Sequence, residues 1–282
     1  MENYLVSTMT EAEVQIAIDW AKKEGWNPGL NDAQCFYLSD SHGFFKGELN
    51  GEIIAVGSAV IYDSSFAFCG LYIVKEGFRG KNYGLPITQA RLDYVGDRYV
   101  GLDGVLDKIA TYEKIGYKEA YCNARFELLQ PVYQSTLEKV NIFNITEVPL
   151  QQLLDYDREC FPTYRKQFLK HWINQPGAFS YGYMDNNQLQ GYIVMRPCYR
   201  GYKIGPLFAN DFEQAEALFL AVCAQAKSFP IYLDIPLPNK AAQKLVDKYQ
   251  MKQVFATNRM YRNGQPDINL NKVFGITTFE LG

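Results

Sequence analysis

A mixed α/β fold, with a mainly antiparallel sheet and helices on both faces, follows from three features of the sequence. Short β-branched and aromatic runs alternate with amphipathic segments instead of segregating from them. Neighbouring runs are joined by hairpin signals, of which Asn50-Gly51 is the clearest. One element order, β-α-α-β-β-β-α-β-α-β, then occurs twice at a period of about 135 residues, too long for a solenoid. The chain therefore reads as two copies of one domain, and 282 residues with 48% hydrophobic side chains suffice for both cores.

In the first copy, Thr10-Glu11-Ala12-Glu13 is a capping box, Val14, Ala17, Ile18 and Ala21 repeat at helical spacing, and Gly25 closes the helix. Trp26-Asn27-Pro28-Gly29 is a turn, and Asn31-Asp32 starts a second short helix. Strands are predicted over 43–49, 52–62 and 66–74. Gly84-Leu85-Pro86 opens a helix to Val95, with Pro86 in the tolerated first turn. Tyr99 to Leu102 reads as a buried strand, Leu106 to Ile115 as a helix stopped by Gly116, and Tyr117 to Leu128 as a strand.

The second copy repeats this order. Asn141 to Thr146 is a strand, and Leu150 to Asp157 and Tyr164 to Ile173 are helical. Strands follow at 178–184, 190–197 and 202–208, with Asn186-Asn187 at the first turn. A helix from Phe212 to Ala226 is capped by Asp211, Ile231 to Asp234 is a strand, Asn239 to Tyr249 a helix, and Gln253 to Arg262 a strand. The expected domains are 1–128 and 141–282, joined by a linker at 129–140. A tail strand at 273–279 is expected to dock on one of the two sheets or at the seam between them.

Composition narrows function. A net charge of −3 argues against general nucleic-acid binding. No apolar run reaches the roughly 18–20 residues of a membrane span, and the acidic start without an apolar h-region predicts no secretory signal. The six cysteines are scattered without a Cys-x-x-Cys, which suits free thiols in a cytoplasmic protein. With only His42 and His171 present, no metal site is expected.

The most informative stretch is Leu71 to Gly84. An apolar strand runs into the basic, glycine-punctuated turn Arg79-Gly80-Lys81-Asn82-Tyr83-Gly84, with a helix behind it. Glycines admit close backbone approach, and amides at a helix mouth favour an anion. By itself this is also what an ordinary βα turn looks like. The pattern resembles the acyl-CoA loop of the GCN5-related N-acetyltransferase (GNAT) superfamily, usually Arg/Gln-x-x-Gly-x-Gly/Ala. Asn82 stands where that family prefers glycine, although asparagine enters left-handed conformations more readily than other side chains. Tyr112-Glu113-Lys114-Ile115-Gly116-Tyr117 is similarly close to the family's Tyr-x-x-x-Gly-Phe.

The resemblance implies two GNAT-like domains in tandem and acetyl-CoA as cosubstrate. Tyr72, Ile73, Val74, Arg79, Gly80, Lys81, Asn82, Tyr83 and Gly84 would contact the cosubstrate. It implies direct attack by a small-molecule amine in a ternary complex, with Tyr112 protonating the departing thiolate; core packing on an amphipathic helix is the alternative for Tyr112. A phenol of pKa near 10 can donate to a thiolate whose thiol titrates near 8.5. The strand Phe66 to Val74 lacks the glutamate that many relatives place there. Asp103 is the first candidate base and Asp32 the second, each also readable as a cap or turn residue. Trp26, Asn27 and Asp32 lie where such enzymes select the acceptor.

The second copy contains a decoy, Arg200-Gly201-Tyr202-Lys203-Ile204-Gly205, which reads as a hairpin turn because strands flank it. The true strand-to-helix junction, Ala209-Asn210-Asp211, has no glycine and places an acid where phosphate would lie, so this copy is expected to be degenerate. A non-catalytic acyl-CoA sensor and a protein-interaction scaffold are the competing readings. No nucleic acid or membrane partner is expected, and a homodimer is left open.

Overall fold

The computed structural model describes residues 3–130, 132, 141–227 and 229–282. Most of the predicted linker, 131 and 133–140, lies outside the described residues. The first half contains β1 (Tyr4–Thr8), α1 (Glu11–Lys23), α2 (Asp32–Ser39), β2 (Phe44–Leu49), β3 (Glu52–Ile61) and β4 (Phe66–Val74). It continues with α3 (Gly84–Val95), β5 (Tyr99–Val105), α4 (Ile109–Glu113) and β6 (Lys118–Leu128). The second half repeats the order. It has β7 (Ile142–Asn144), α5 (Leu150–Cys160), α6 (Lys166–Trp172), β8 (Phe179–Asp185), β9 (Gln188–Pro197) and β10 (Tyr202–Ala209). Then come α7 (Phe212–Cys223), β11 (Ile231–Pro236), α8 (Lys240–Lys248), β12 (Lys252–Arg262) and a tail strand, β13 (Val273–Gly275).

Local chemistry sets these boundaries. The capping box forms, with the Thr10 amide and hydroxyl donating to Glu13 Oε2 at 2.8 and 3.1 Å. Asn50 and Gly51 turn with φ of 52° and 87°, and Asn186 and Asn187 with 48° and 61°, the positive pair that a two-residue hairpin needs. Arg200-Gly201 joins β9 to β10 as a turn. Several elements are shorter than predicted, among them the strand at Ile142–Asn144 and the helices at Lys166–Trp172 and Phe212–Cys223. The segment from Leu106 starts as a 3-10 turn and becomes α-helical only over Ile109–Glu113. The tail pairs only at Val273–Gly275 before continuing as irregular chain, all of it buried to residue 282.

The strands form one sheet in the order β1-β2-β3-β4-β5-β12-β6-β11-β10-β9-β8-β7. The centre of this order is interleaved. The last strand of the second half, β12, lies against β5 of the first, and the last strand of the first half, β6, lies against β11 of the second. A matching ion pair marks each junction. Arg259 of β12 stands opposite Asp103 of β5 and binds it through Nε (3.1 Å) and Nη2 (2.7 Å). Arg125 of β6 stands opposite Asp234 of β11 and binds it through Nε and Nη2, both at 2.7 Å. The bidentate geometry offsets the desolvation of these buried charges.

The helices also meet across the seam. Asp32 at the start of α2 takes Arg196 Nε from β9 at 2.8 Å, the Arg196 guanidinium covers the Trp172 ring at 4.2 Å, and Trp172 stacks with Phe36 of α2 at 6.1 Å. One apolar cluster accordingly contains residues of both halves.

Each half has one point where parallel strands part, and the two points are treated differently. Pairing of β4 with β5 ends at Cys69↔Leu102. Just beyond it Leu71 has φ of 47°, a conformation costly for a branched side chain, and the β3–β4 register shifts. In the second half, pairing of β10 with β11 ends at Ile204↔Leu233. There the freed edge of β10 is taken by β13, antiparallel at Leu207↔Gly275, and the Ile276 amide then donates to Asp234 O of β11 at 2.8 Å. The tail fills the second gap and leaves the first open.

Candidate active site

A cleft of about 1000 Å³ opens at the parting of β4 and β5. One wall is β4 from Cys69 to Val74, another is Leu102 to Lys108 with Thr111 and Tyr112, and the mouth is the loop Phe78 to Leu85. The second half supplies the remaining wall, through Phe255, Ala256 and Thr257 of β12 and Phe279 and Glu280 of the tail. Trp26 and Glu24 close the end beside α1.

The loop can present main-chain donors to the cleft. Gly80 and Asn82 have φ of 75° and 65°, so asparagine holds the left-handed turn that glycine would otherwise supply. Among the described residues, the amides of Gly80, Lys81 and Asn82 have no acceptor in the chain. Gly84, first residue of α3, packs directly on the Tyr72 hydroxyl, which leaves no space for a Cβ. The loop is anchored from β1, where the Tyr4 hydroxyl donates to Tyr83 O at 2.6 Å.

Of the predicted cosubstrate residues, Tyr72, Ile73, Val74, Arg79, Gly80, Asn82, Tyr83 and Gly84 line the cleft. Lys81 does not; its ammonium sits over the Phe78 ring at 5.8 Å. Arg79 is partly committed, with Nε on Val74 O at 2.8 Å and Nη2 on Glu24. One carbonyl of the β4 edge is therefore already occupied.

Tyr112 lines the inner end of the cleft. Its ring lies against Gly104, where a Cβ would come within 2.8 Å of it, and meets Tyr117 edge-on at 6.4 Å. Burial raises its phenol above the usual value, so the group is a proton donor throughout the neutral range. Asp103 borders the same cleft, but both carboxylate oxygens are bound by Arg259, and Oδ1 also accepts from Asn123 Nδ2 at 2.7 Å. Its counterpart Asp234 holds Arg125 in the same way, so Asp103 is half of a repeated seam device.

The predicted acceptor residues separate. Trp26 lines the cleft. Asn27 turns away at φ of 51° and binds the second half, accepting from the Arg200 amide at 2.9 Å. Asp32 is fully buried against Arg196 and the Gly29 amide, outside the cleft lining. Residues that sequence reasoning missed are Arg91, Thr257, Phe279 and Glu280, all in the lining. Thr257 is buried, and among the described residues its hydroxyl has no hydrogen-bond partner. Among the described residues, no cluster of His, Cys, Asp or Glu could hold a metal ion, and no helix is long and apolar enough to cross a membrane.

Residues 153–275 match the family described as Acetyltransferase (GNAT) domain. The GNAT match falls in the second half of the chain. A holothin acyltransferase from Pseudoalteromonas sp. (strain SANK 73390) is 29% identical over 272 residues, covering 96% of this chain and 92% of that one. Among solved structures, a Pyrococcus horikoshii protein assigned to the acetyltransferases superposes with a TM-score of 0.83 at 20% identity, over 99% of this chain and 96% of its own. A tandem GNAT protein from the clavulanic acid biosynthesis pathway gives 0.61 at 10% identity, over 94% and 100%. These structures share the fold, and the domain match and the acyltransferase relative support an acyltransferase. The matched stretch lies in the half whose strand gap is filled by the tail, whereas the open cleft lies in the other half.

Proposed function

We propose that the chain transfers an acetyl group from acetyl-CoA to the amine of a small molecule, by direct attack in a ternary complex. One observation carries this reading: a single cleft is lined by the loop residues Gly80, Asn82 and Gly84, by β4 from Cys69 to Val74, and by Tyr112. The diphosphate would rest on the amides of Gly80, Lys81 and Asn82 at the mouth of α3, where charge-assisted hydrogen bonds are worth about 1.5–3 kcal/mol each. The pantetheine amides would pair with the β4 edge as an added strand does. The thioester would then meet Tyr112, and the amine would enter from the side walled by Trp26, β12 and the tail.

In this reading the chain is two GNAT-like units, 1–128 and 141–282, of which the second is degenerate. Its role is to complete the wall of the first and to donate the tail. The lack of an acid on Phe66–Val74 favours the competing reading, a protein that binds acyl-CoA without turnover. Following free thiol from acetyl-CoA with a panel of amines separates the two. Turnover with at least one amine supports the enzyme, and binding without turnover supports the sensor.

Two substitutions test the roles. Tyr112→Phe is expected to lower kcat by about 10²-fold, the lower end of general-acid effects. Because burial raises this phenol, its contribution falls away only above pH 10, and that alkaline limb should vanish with the hydroxyl. Unchanged turnover and profile would leave Tyr112 a packing residue. Asp103→Asn is expected to lower the unfolding temperature by several degrees, since Arg259 is left uncompensated, while the shape of the pH–rate profile stays the same. Loss of an acid limb in that variant would restore Asp103 as a base.

A further inference from the structure

We infer that Glu280, brought in by the tail, accepts the proton of the attacking amine in the open cleft. The inference rests on the N-acetyltransferase reading above and supplies the acid that β4 lacks.

The placement is set by Gly70. A Cβ at that position would overlap the main chain of Glu280, so the tail lies directly on β4 one residue past its last pairing with β5. Gly205 of β10 is overlain in the same manner by the Thr277 carbonyl. Three residues apart, Thr277 and Glu280 thus cross the parting points of both halves. At the second point the chain closes the gap; at the first it leaves Glu280 in the lining of the cleft.

The state of that carboxylate sets it apart. Asp32, Asp103, Asp157 and Asp234 are each clamped by two nitrogens of one arginine: Arg196, Arg259, Arg165 and Arg125 respectively. Glu280 is only 3% exposed, yet among the described residues its carboxylate has neither a hydrogen bond nor an ion pair. A buried carboxylate of this kind requires a partner, and Glu280 lines the cleft, where a ligand group could supply one. The buried Thr257 hydroxyl, also without a partner, lines the same space.

The charges around it are compatible with the role. Arg125 of β6, Arg196 of β9 and Lys203 of β10 act on Glu280 electrostatically. The two arginines are already neutralised by Asp234 and Asp32, which leaves Lys203 as the unpaired counter-charge. Burial lowers the Lys203 ammonium to about 8. On the cleft side stand Asp103, Arg91, Tyr72, Tyr112 and Cys69, of which Asp103 is held by Arg259.

An acceptor ammonium would give one proton to Glu280, and the freed nitrogen lone pair would attack the thioester carbonyl. As the N–C bond forms and the C–S bond breaks, sulfur takes the proton of Tyr112, and the second N–H proton restores the phenol. The products are the amide, the free thiol and one proton released from Glu280 to solvent.

The test measures kcat/KM against pH for the wild type, Glu280→Gln and Glu280→Asp with one accepted amine, alongside acetyl-CoA affinity by calorimetry. Expected are unchanged acetyl-CoA affinity, a loss of about 10²-fold or more in the glutamine variant together with its acid limb, and partial rescue by aspartate. Equal activity of all three, or glutamine and aspartate variants impaired alike with the limb retained, overturns the inference. Failure of the wild type itself to acylate any amine overturns the underlying reading instead.

Discussion

Gly84→Glu is expected to weaken acetyl-CoA binding by at least 100-fold while the protein stays folded. The new side chain enters where Gly84 faces the Tyr72 hydroxyl and the cleft, and places a carboxylate at the N-terminus of α3. An anion there is favourable for the isolated helix. It competes, however, for the amides and the field that a diphosphate would use. A hundredfold loss corresponds to about 2.7 kcal/mol, close to one charge-assisted hydrogen bond plus the added repulsion. Calorimetric titration with acetyl-CoA measures it directly. Retained affinity would mean that the diphosphate binds elsewhere.

The second large effect belongs to the seam. Arg125→Met is expected to cost about 3–5 kcal/mol of unfolding free energy, because Asp234 is left as a buried charge without compensation. Arg125 also donates to Trp26 O at 2.7 Å and lies over the Phe279 ring at 4.9 Å, so one side chain ties the seam to two walls of the cleft. A raised KM for the amine should accompany the lost stability. Adding Asp234→Leu should recover much of the stability, as replacement of both partners by apolar groups generally does. Denaturant titration of the single and double variants gives the comparison. A single-variant loss below about 1 kcal/mol would show the pair to be far less consequential than its burial indicates.

Elements fixed by neighbouring residues were legible before the structure. The capping box of α1, the Asn-Gly and Asn-Asn hairpins, and the loop with Asn82 in a left-handed turn all arise from interactions a few residues apart. Eight of the nine predicted cosubstrate residues line the cleft for the same reason: a strand, a turn and a helix start are consecutive in sequence. The arginine partners of Asp103 and Asp32 were not legible because they lie 156 and 164 residues away, at Arg259 and Arg196. A carboxylate in a turn or at a strand end carries no local sign of whether an arginine from another part of the chain will cover it. Glu280 was missed because its position depends on the path of the tail across Gly205 and Gly70, two glycines with no distinctive sequence setting.

The exchange of β6 and β12 has a consequence for inheritance as well as for folding. Neither gene half encodes a self-sufficient sheet, since each would lack its neighbour's terminal ribbon and present a long raw margin prone to sticking. Fragments 1–132 and 141–282 produced separately should be insoluble, yet made together they should find one another and restore the whole. Two halves joined in this fashion are bound to each other, because loss of either removes a structural part of the survivor.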